Sequence, residues 1–156
     1  MSTPPLYAMR IVIIIFAWFT YSAITLVVTL SATSALYNGT YTNFYLSLLG
    51  IIVAIVGVAA YIIAGRQFGS LKKMSGFGEE SVVTGGIYQY SRNPQFLGWW
   101  LLLLGGCLVT MDYVSFALLI IAVIIGVMQI IFEEKFLLDK YGAKYGAYMG
   151  EVRRII

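Results

Sequence analysis

The run Gly86-Ile-Tyr-Gln-Tyr-Ser-Arg-Asn-Pro-Gln-Phe-Leu-Gly-Trp99 sets a guanidinium, a helix-starting Asn-Pro pair and several aromatic rings at the edge of an apolar stretch. Pro94 suits the first turn of a helix, where its missing N–H is not needed, and Asn93 before it is a favoured N-cap. The free N–H groups of such a helix start, close to Arg92, attract a carboxylate or phosphate. An equally economical reading has Asn93 only capping and Arg92 only reaching lipid headgroups. Farther along, Gln129 and Glu133 lie four residues apart and share one helix face. With Glu134 they end another apolar run, either as groups facing a ligand or as the first solvated residues beyond the run. Together these residues mark where a ligand would sit. The chain has no histidine, which removes the usual imidazole base and excludes both a Ser-His triad and an ordinary zinc site. Cys107 is alone and forms no internal disulfide.

The elements that must position these groups are membrane helices. Hydrophobic residues make up 60% of the 156 positions and charged ones 11%, and the mean hydropathy is +0.87, far outside the range of soluble domains. Four apolar runs, at about residues 11–30, 44–65, 94–111 and 114–132, each reach roughly 27–33 Å as helix, enough for a hydrocarbon core of about 30 Å. The first is too long for the core of a cleavable signal and lacks a small-residue cleavage site. The ten Lys and Arg residues fall before the first run, between the second and third, and after the fourth. None falls at 31–43 or at Asp112-Tyr113. The positive-inside rule then puts both termini and the 66–93 loop in the cytoplasm. The net charge of +3 reflects that topology and membrane lipids as partners, and is no argument for nucleic acid.

The sequence therefore predicts an all-α integral membrane protein of one domain, 1–156, with four transmembrane helices, a cytoplasmic loop and a C-terminal amphipathic helix at 133–152. Gly50, Ala54 and Gly57 recur at helical spacing in the second span, as small residues do where another helix comes close. Ser81, Val82, Val83, Ile87, Tyr88 and Tyr90 argue for order at the end of the loop, with the tyrosines anchoring it on the bilayer surface. In the tail, Leu138, Tyr141, Tyr145, Tyr148 and Val152 give an aromatic face along one continuous helix. Gly142, Gly146 and Gly150 recur every fourth residue, which suggests close approach of another backbone or of a flat ligand. Trp18 and Tyr21 in the first span read as packing residues.

Residues 84–99 and the later run Glu133-Glu-Lys-Phe-Leu-Leu-Asp-Lys-Tyr-Gly-Ala-Lys-Tyr-Gly-Ala-Tyr148 resemble the isoprenylcysteine carboxyl methyltransferase family. That family's pattern is G-x-Y-x-x-x-R-[H/N]-P-x-[Y/F]-x-G, a hydrophobic hairpin, then E-E-x-x-L-x-x-x-[F/Y]-G-x-x-Y-x-x-Y. The resemblance covers about residues 84–152, and phospholipid N-methyltransferases are related in fold. It implies S-adenosyl-L-methionine as cofactor, bound without a Rossmann sheet at a site formed by the loop and the C-terminal helix. By position, Tyr88, Tyr90, Arg92, Asn93, Pro94, Phe96 and Gly98 would wall the cofactor on one side, with Glu133 and Glu134 closing it on the other. A helix start with Arg92 suits the methionine carboxylate, a glutamate suits its ammonium, and rings suit the sulfonium. Arg92, Gln129, Glu133 and Glu134 are the groups expected to carry the reaction. Asn93 stands where many members have His, a variant found in prokaryotic members, so a prokaryotic plasma membrane is the expected location. The chain lacks the Pro-containing terminus common in the family.

Methyl transfer from a sulfonium needs acceptor and methyl held in near-attack geometry more than it needs an acid or base. A carboxylate acceptor is already ionised at neutral pH and suits a site without histidine. An ammonium must first lose a proton, with only the glutamates or a tyrosine to help. The sequence thus favours a carboxylate on a lipophilic, isoprenylcysteine-like or prenylated molecule, entering from the bilayer near Trp99, Trp100, Gln129, Tyr141 and Tyr145. The alternatives are a phospholipid amine as acceptor, a small non-enzymatic membrane protein, and a reductase of the sterol type. Neither a metal nor nucleic acid is expected.

Overall fold

A computed structural model describes residues 4–67 and 83–155, with the side chains of the first helix described from Val12 onward. The described residues hold five α-helices and one short 3-10 turn, joined by turns and irregular segments, and there is no strand among them. Helix α1 spans Pro4–Tyr37, α2 Phe44–Gln67, α3 Pro94–Thr110, α4 Tyr113–Tyr141 and α5 Ala143–Glu151, with the 3-10 turn at Gly86–Gln89 before α3. Among the described residues, three stretches are long and apolar enough to cross a membrane: Val12–Tyr37, Phe44–Gln67 and Tyr113–Tyr141. Helix α3 is equally apolar but has 17 residues, about 25 Å of rise.

That short helix is the centre of the bundle. α2 packs along its length, and α1 and α4 pack on its other sides. The α2–α3 contact is backbone on backbone. A methyl at Gly57 would lie 2.5 Å from Leu102 N, and one at Gly98 would lie 2.6 Å from Tyr61 N. Gly50 and Gly105 meet in the same way farther along. Small residues let membrane helices approach until van der Waals contact is continuous, which is the main attraction available between helices in lipid. The core proper joins Ile24 and Val28 of α1, Phe96, Trp99 and Leu103 of α3, and Ala122 and Ile130 of α4. Outward positions of α1, α2 and α4, such as Phe16, Phe19, Ile55, Ile124 and Ile131, are exposed and apolar, as a lipid-facing surface requires.

Helix α4 starts on Asp112, whose Oδ1 accepts from Ser115 N at 2.8 Å and whose Oδ2 accepts from Ser115 Oγ at 2.6 Å. The Ser115 hydroxyl bond, with help from Thr110 and backbone N–H groups, holds the Asp112 carboxyl down at about 2. At the other end α4 runs on without a break past Glu133 and Glu134 to Tyr141. The continuous helix expected at 133–152 is in fact two helices. Gly142, at φ 54 and ψ −132, takes a backbone conformation that only glycine reaches readily, and there the chain turns into α5. The close approach expected at the other two tail glycines is also not found among the described residues: Gly146 has only Leu138 Cδ1 at 3.8 Å, and nothing lies within 4 Å of a methyl at Gly150. Most of the 66–93 loop lies outside the described residues.

Candidate functional site

Two neighbouring assemblies form at the end of the bundle where α3 begins. The first is a latch. Arg92 donates from Nε to Glu134 Oε1 at 3.0 Å and from Nη1 to Met149 O at 2.7 Å, and its Nη2 lies 2.9 Å from Glu134 Oε1. Arg154 Nε donates to the other carboxylate oxygen, Oε2, at 2.9 Å. The Arg92 and Glu134 side chains are 7% and 5% exposed, so this is a buried charge pair with a second arginine at its rim. Backbone ties complete it: Arg92 N donates to Arg153 O at 3.0 Å, and Asn93 Nδ2 donates to Arg154 O at 3.1 Å. Asn93 stands at the N-cap of α3, but its side chain makes no capping bond; it binds the C-terminal segment instead. Tyr148 of α5 donates its hydroxyl to Tyr88 O at 2.7 Å, and Tyr88 donates its own to Gln95 Oε1 at 2.5 Å. Burial raises the pKa of the Tyr88 and Tyr145 hydroxyls and pushes that of Tyr148 up to about 12.

The second assembly is a cavity of about 570 Å³ between α1 and α2, walled by α3 and reached by α4. Its polar wall is Gln95, Gln129 and Glu133; the rings of Trp18, Tyr21, Tyr61, Phe96 and Trp99 surround that wall, and aliphatic side chains together with hydroxyl-bearing residues of α1 line the rest. The Tyr21 hydroxyl donates to Gln129 Oε1. Its ring meets Trp99 at 4.4 Å between centroids and Phe96 edge-on at 6.0 Å. Trp99 Nε1 donates to Thr25 Oγ1 at 2.7 Å. Volume and lining are those of a small-molecule site, apolar with a few convergent polar groups.

The residues expected from the sequence therefore divide. Glu133, Gln129, Phe96 and Trp99 meet at the cavity. Arg92, Asn93, Pro94, Tyr88, Glu134 and Tyr145 belong to the latch or its packing, with Tyr145 buried 5.9 Å from the Tyr148 ring. The adjacent glutamates thus serve different neighbourhoods, because successive residues on a helix point about 100° apart. Four residues lie elsewhere. Tyr90 is 78% exposed, Gly98 is used up in the α2 contact, Trp100 packs over Gly126 with its buried Nε1 lacking a hydrogen-bond partner, and Tyr141 ends α4 under Lys140. The first span's contribution was not anticipated: Tyr21, Ser22, Thr25 and Thr29 all line the cavity. Their signal was a stripe of hydroxyl groups three and four residues apart on one face of an otherwise aliphatic helix.

A helical bundle with long apolar spans defines an integral membrane protein, and this one carries a cavity with a few polar groups beside the start of α3. Residues 40–144, about two thirds of the chain, match the family model described as phospholipid methyltransferase. The chain belongs to the phospholipid methyltransferase family, a family of membrane methyltransferases that generally use S-adenosylmethionine. No curated protein and no solved structure matches it.

Proposed function

We propose that the chain transfers a methyl group from S-adenosylmethionine to the polar head of a lipophile held in the α1–α2–α3 cavity. The observation that carries this reading is the position of the cavity's polar wall. Gln95, Gln129 and Glu133 stand beside the start of α3, where Arg92, Asn93 and Pro94 lie. The topology that goes with it has four spans, α3 being the short fourth, both termini in the cytoplasm, and the site at the cytoplasmic side of a prokaryotic plasma membrane. The donor set near the latch fits the cofactor. Of the five N–H donors of a guanidinium, Arg92 directs two to Glu134 and one to Met149 O, so two can address a carboxylate. The rings around the cavity suit the cofactor's sulfonium. When bound, the cofactor supplies an electrophilic methyl. The chain's own contribution is to align the acceptor in line with it and to keep water away.

An amine head, as on a phospholipid, is the acceptor this geometry favours. A glutamate in the cavity wall attracts an ammonium and can accept the proton it must lose before attack. This departs from the preference drawn from the sequence, because the same carboxylate repels an anionic head. The second reading, carboxyl methylation of an isoprenylcysteine-like molecule, rests on the two motifs at residues 84–99 and 133–148. Incubating membranes with methyl-labelled cofactor and treating the lipid product with alkali separates the two, since esters release methanol and N-methyl groups do not. For the amine reading the label survives alkali, the rate rises with pH, and Glu133→Gln slows transfer. Label released as methanol would overturn it.

A further inference from the structure

Gln129 is held in a way the reaction as proposed does not by itself require. The Tyr21 hydroxyl occupies its Oε1, and Tyr21 is itself fixed by Trp99 and Phe96. A carboxamide has one acceptor end and one donor end. With the acceptor end taken by Tyr21, the Nε2 amino group is the end left over, and it donates to no other group among the described residues. Gln129 lines the cavity one helical turn before Glu133. A polar donor in an apolar wall stands ready for an acceptor atom on the ligand, since a bound ligand that excludes water without accepting from it would leave the donor unpaired.

We infer that Tyr21 and Gln129 form a headgroup reader: Tyr21 fixes the amide so that Nε2 donates to an oxygen of the lipophile, a phosphate or ester oxygen close to the atom that receives the methyl. Tyr21 is a positioning residue acting through Gln129, and the ligand class is an amphiphile whose polar head carries an oxygen acceptor beside its cationic centre. Tyr21 lies outside the matched residues 40–144, so selection of the headgroup is assigned to a helix that the family match does not cover. Thr25 supports the same arrangement by holding the Trp99 indole against which the Tyr21 ring packs. The inference rests on the reading that the cavity holds the acceptor lipid.

The test uses two unreactive amphiphiles of equal chain length, dodecylphosphocholine and dodecyltrimethylammonium, titrated into the full chain in maltoside micelles. Both carry a quaternary ammonium and only the first carries phosphate oxygens. The expected result is that the wild-type chain prefers the phosphate-bearing probe by about tenfold or more, the scale of one hydrogen bond to a charged group. Tyr21→Phe and Gln129→Ala each abolish that preference while leaving affinity for dodecyltrimethylammonium within about twofold, and the double variant loses no more than either single one. Melting temperatures identify any variant that fails to fold, and Tyr21→Phe, which removes one oxygen, keeps the ring packing. No preference in the wild type, or a preference unchanged in Tyr21→Phe, overturns the inference. Base-labile label in the transfer assay would instead overturn the amine reading without altering this binding result.

Discussion

Glu134 sits between two guanidinium groups, and the two are not equivalent. Arg92 is buried with it, whereas the Arg154 side chain is 47% exposed. Removing one partner of a buried pair leaves an uncompensated charge and costs about 3–5 kcal/mol, while a solvent-facing partner is worth about 0–1 kcal/mol. Glu134→Ala is therefore expected to destabilise the fold severely and Arg154→Ala hardly at all, as measured by unfolding in a mixed denaturing detergent; equal losses would contradict the ranking. The sequence disclosed that Arg92 and both glutamates lie at one end of the bundle, because charges bordering apolar runs are conspicuous. It did not disclose which glutamate Arg92 would choose. That choice depends on the rotation of α4 against α3, which is settled by packing at residues such as Gly126 and Trp100.

At the scale of elements, the pattern of small residues in α2 was legible because close helix approach demands it, and Gly50 and Gly57 do face α3. The tail glycines follow the same spacing, and period alone could not show that Gly142 ends a helix. What docks α5 is a set of tyrosines, and their chemistry makes docking sensitive to pH. Tyr148 must keep its proton to donate to Tyr88 O. Burial, with Glu134 adding and Arg92 opposing, raises its pKa to about 12, whereas an unfolded tyrosine ionises at about 10. Between those values the unfolded chain binds fewer protons than the folded one, so stability falls as pH rises. The contribution is complete below about pH 10 and is lost on passing about pH 12. A melting temperature that declines over that window, in step with the tyrosinate absorbance, is the expected result. Tyr148→Phe should flatten the decline in part, since Tyr88 and Tyr145 are raised as well; an unchanged profile in that variant would rule out Tyr148 as a contributor.

For the molecule as a whole, helix lengths and the distribution of charge argue for one arrangement in the bilayer. Helix α4 has 29 residues, about 43 Å of rise, so it exceeds a hydrocarbon core of about 30 Å by roughly three turns. The proposed topology puts the excess at its C-terminal end, where Glu133, Glu134, Lys135, Asp139 and Lys140 lie. The turn at Asp112, at the other end of α4, has no basic residue near it. In the proposed four-span arrangement the short α3 would reach across because the other helices surround it and the latch satisfies Arg92 and Asn93 at its start. Composition revealed the spans, but the cavity arises only when α1 and α2 stand apart over α3. Its hydroxyl-bearing wall in α1 read as ordinary, because Thr25 and Thr29 also bond their own helix. Under the proposed topology, which follows the positive-inside rule, residues near 39 and 113 would face outward and those near 84 and 147 the cytoplasm. In a Cys107→Ala background, a single cysteine at Gly39 or Tyr113 should react with a membrane-impermeant maleimide on intact cells. One at Thr84 or Ala147 should react only after the membrane is opened. Labelling of Thr84→Cys from outside would invert the topology and move the proposed site to the other face of the membrane. Labelling of Gly39→Cys and Tyr113→Cys from opposite sides would mean that α2 and α3 do not both cross.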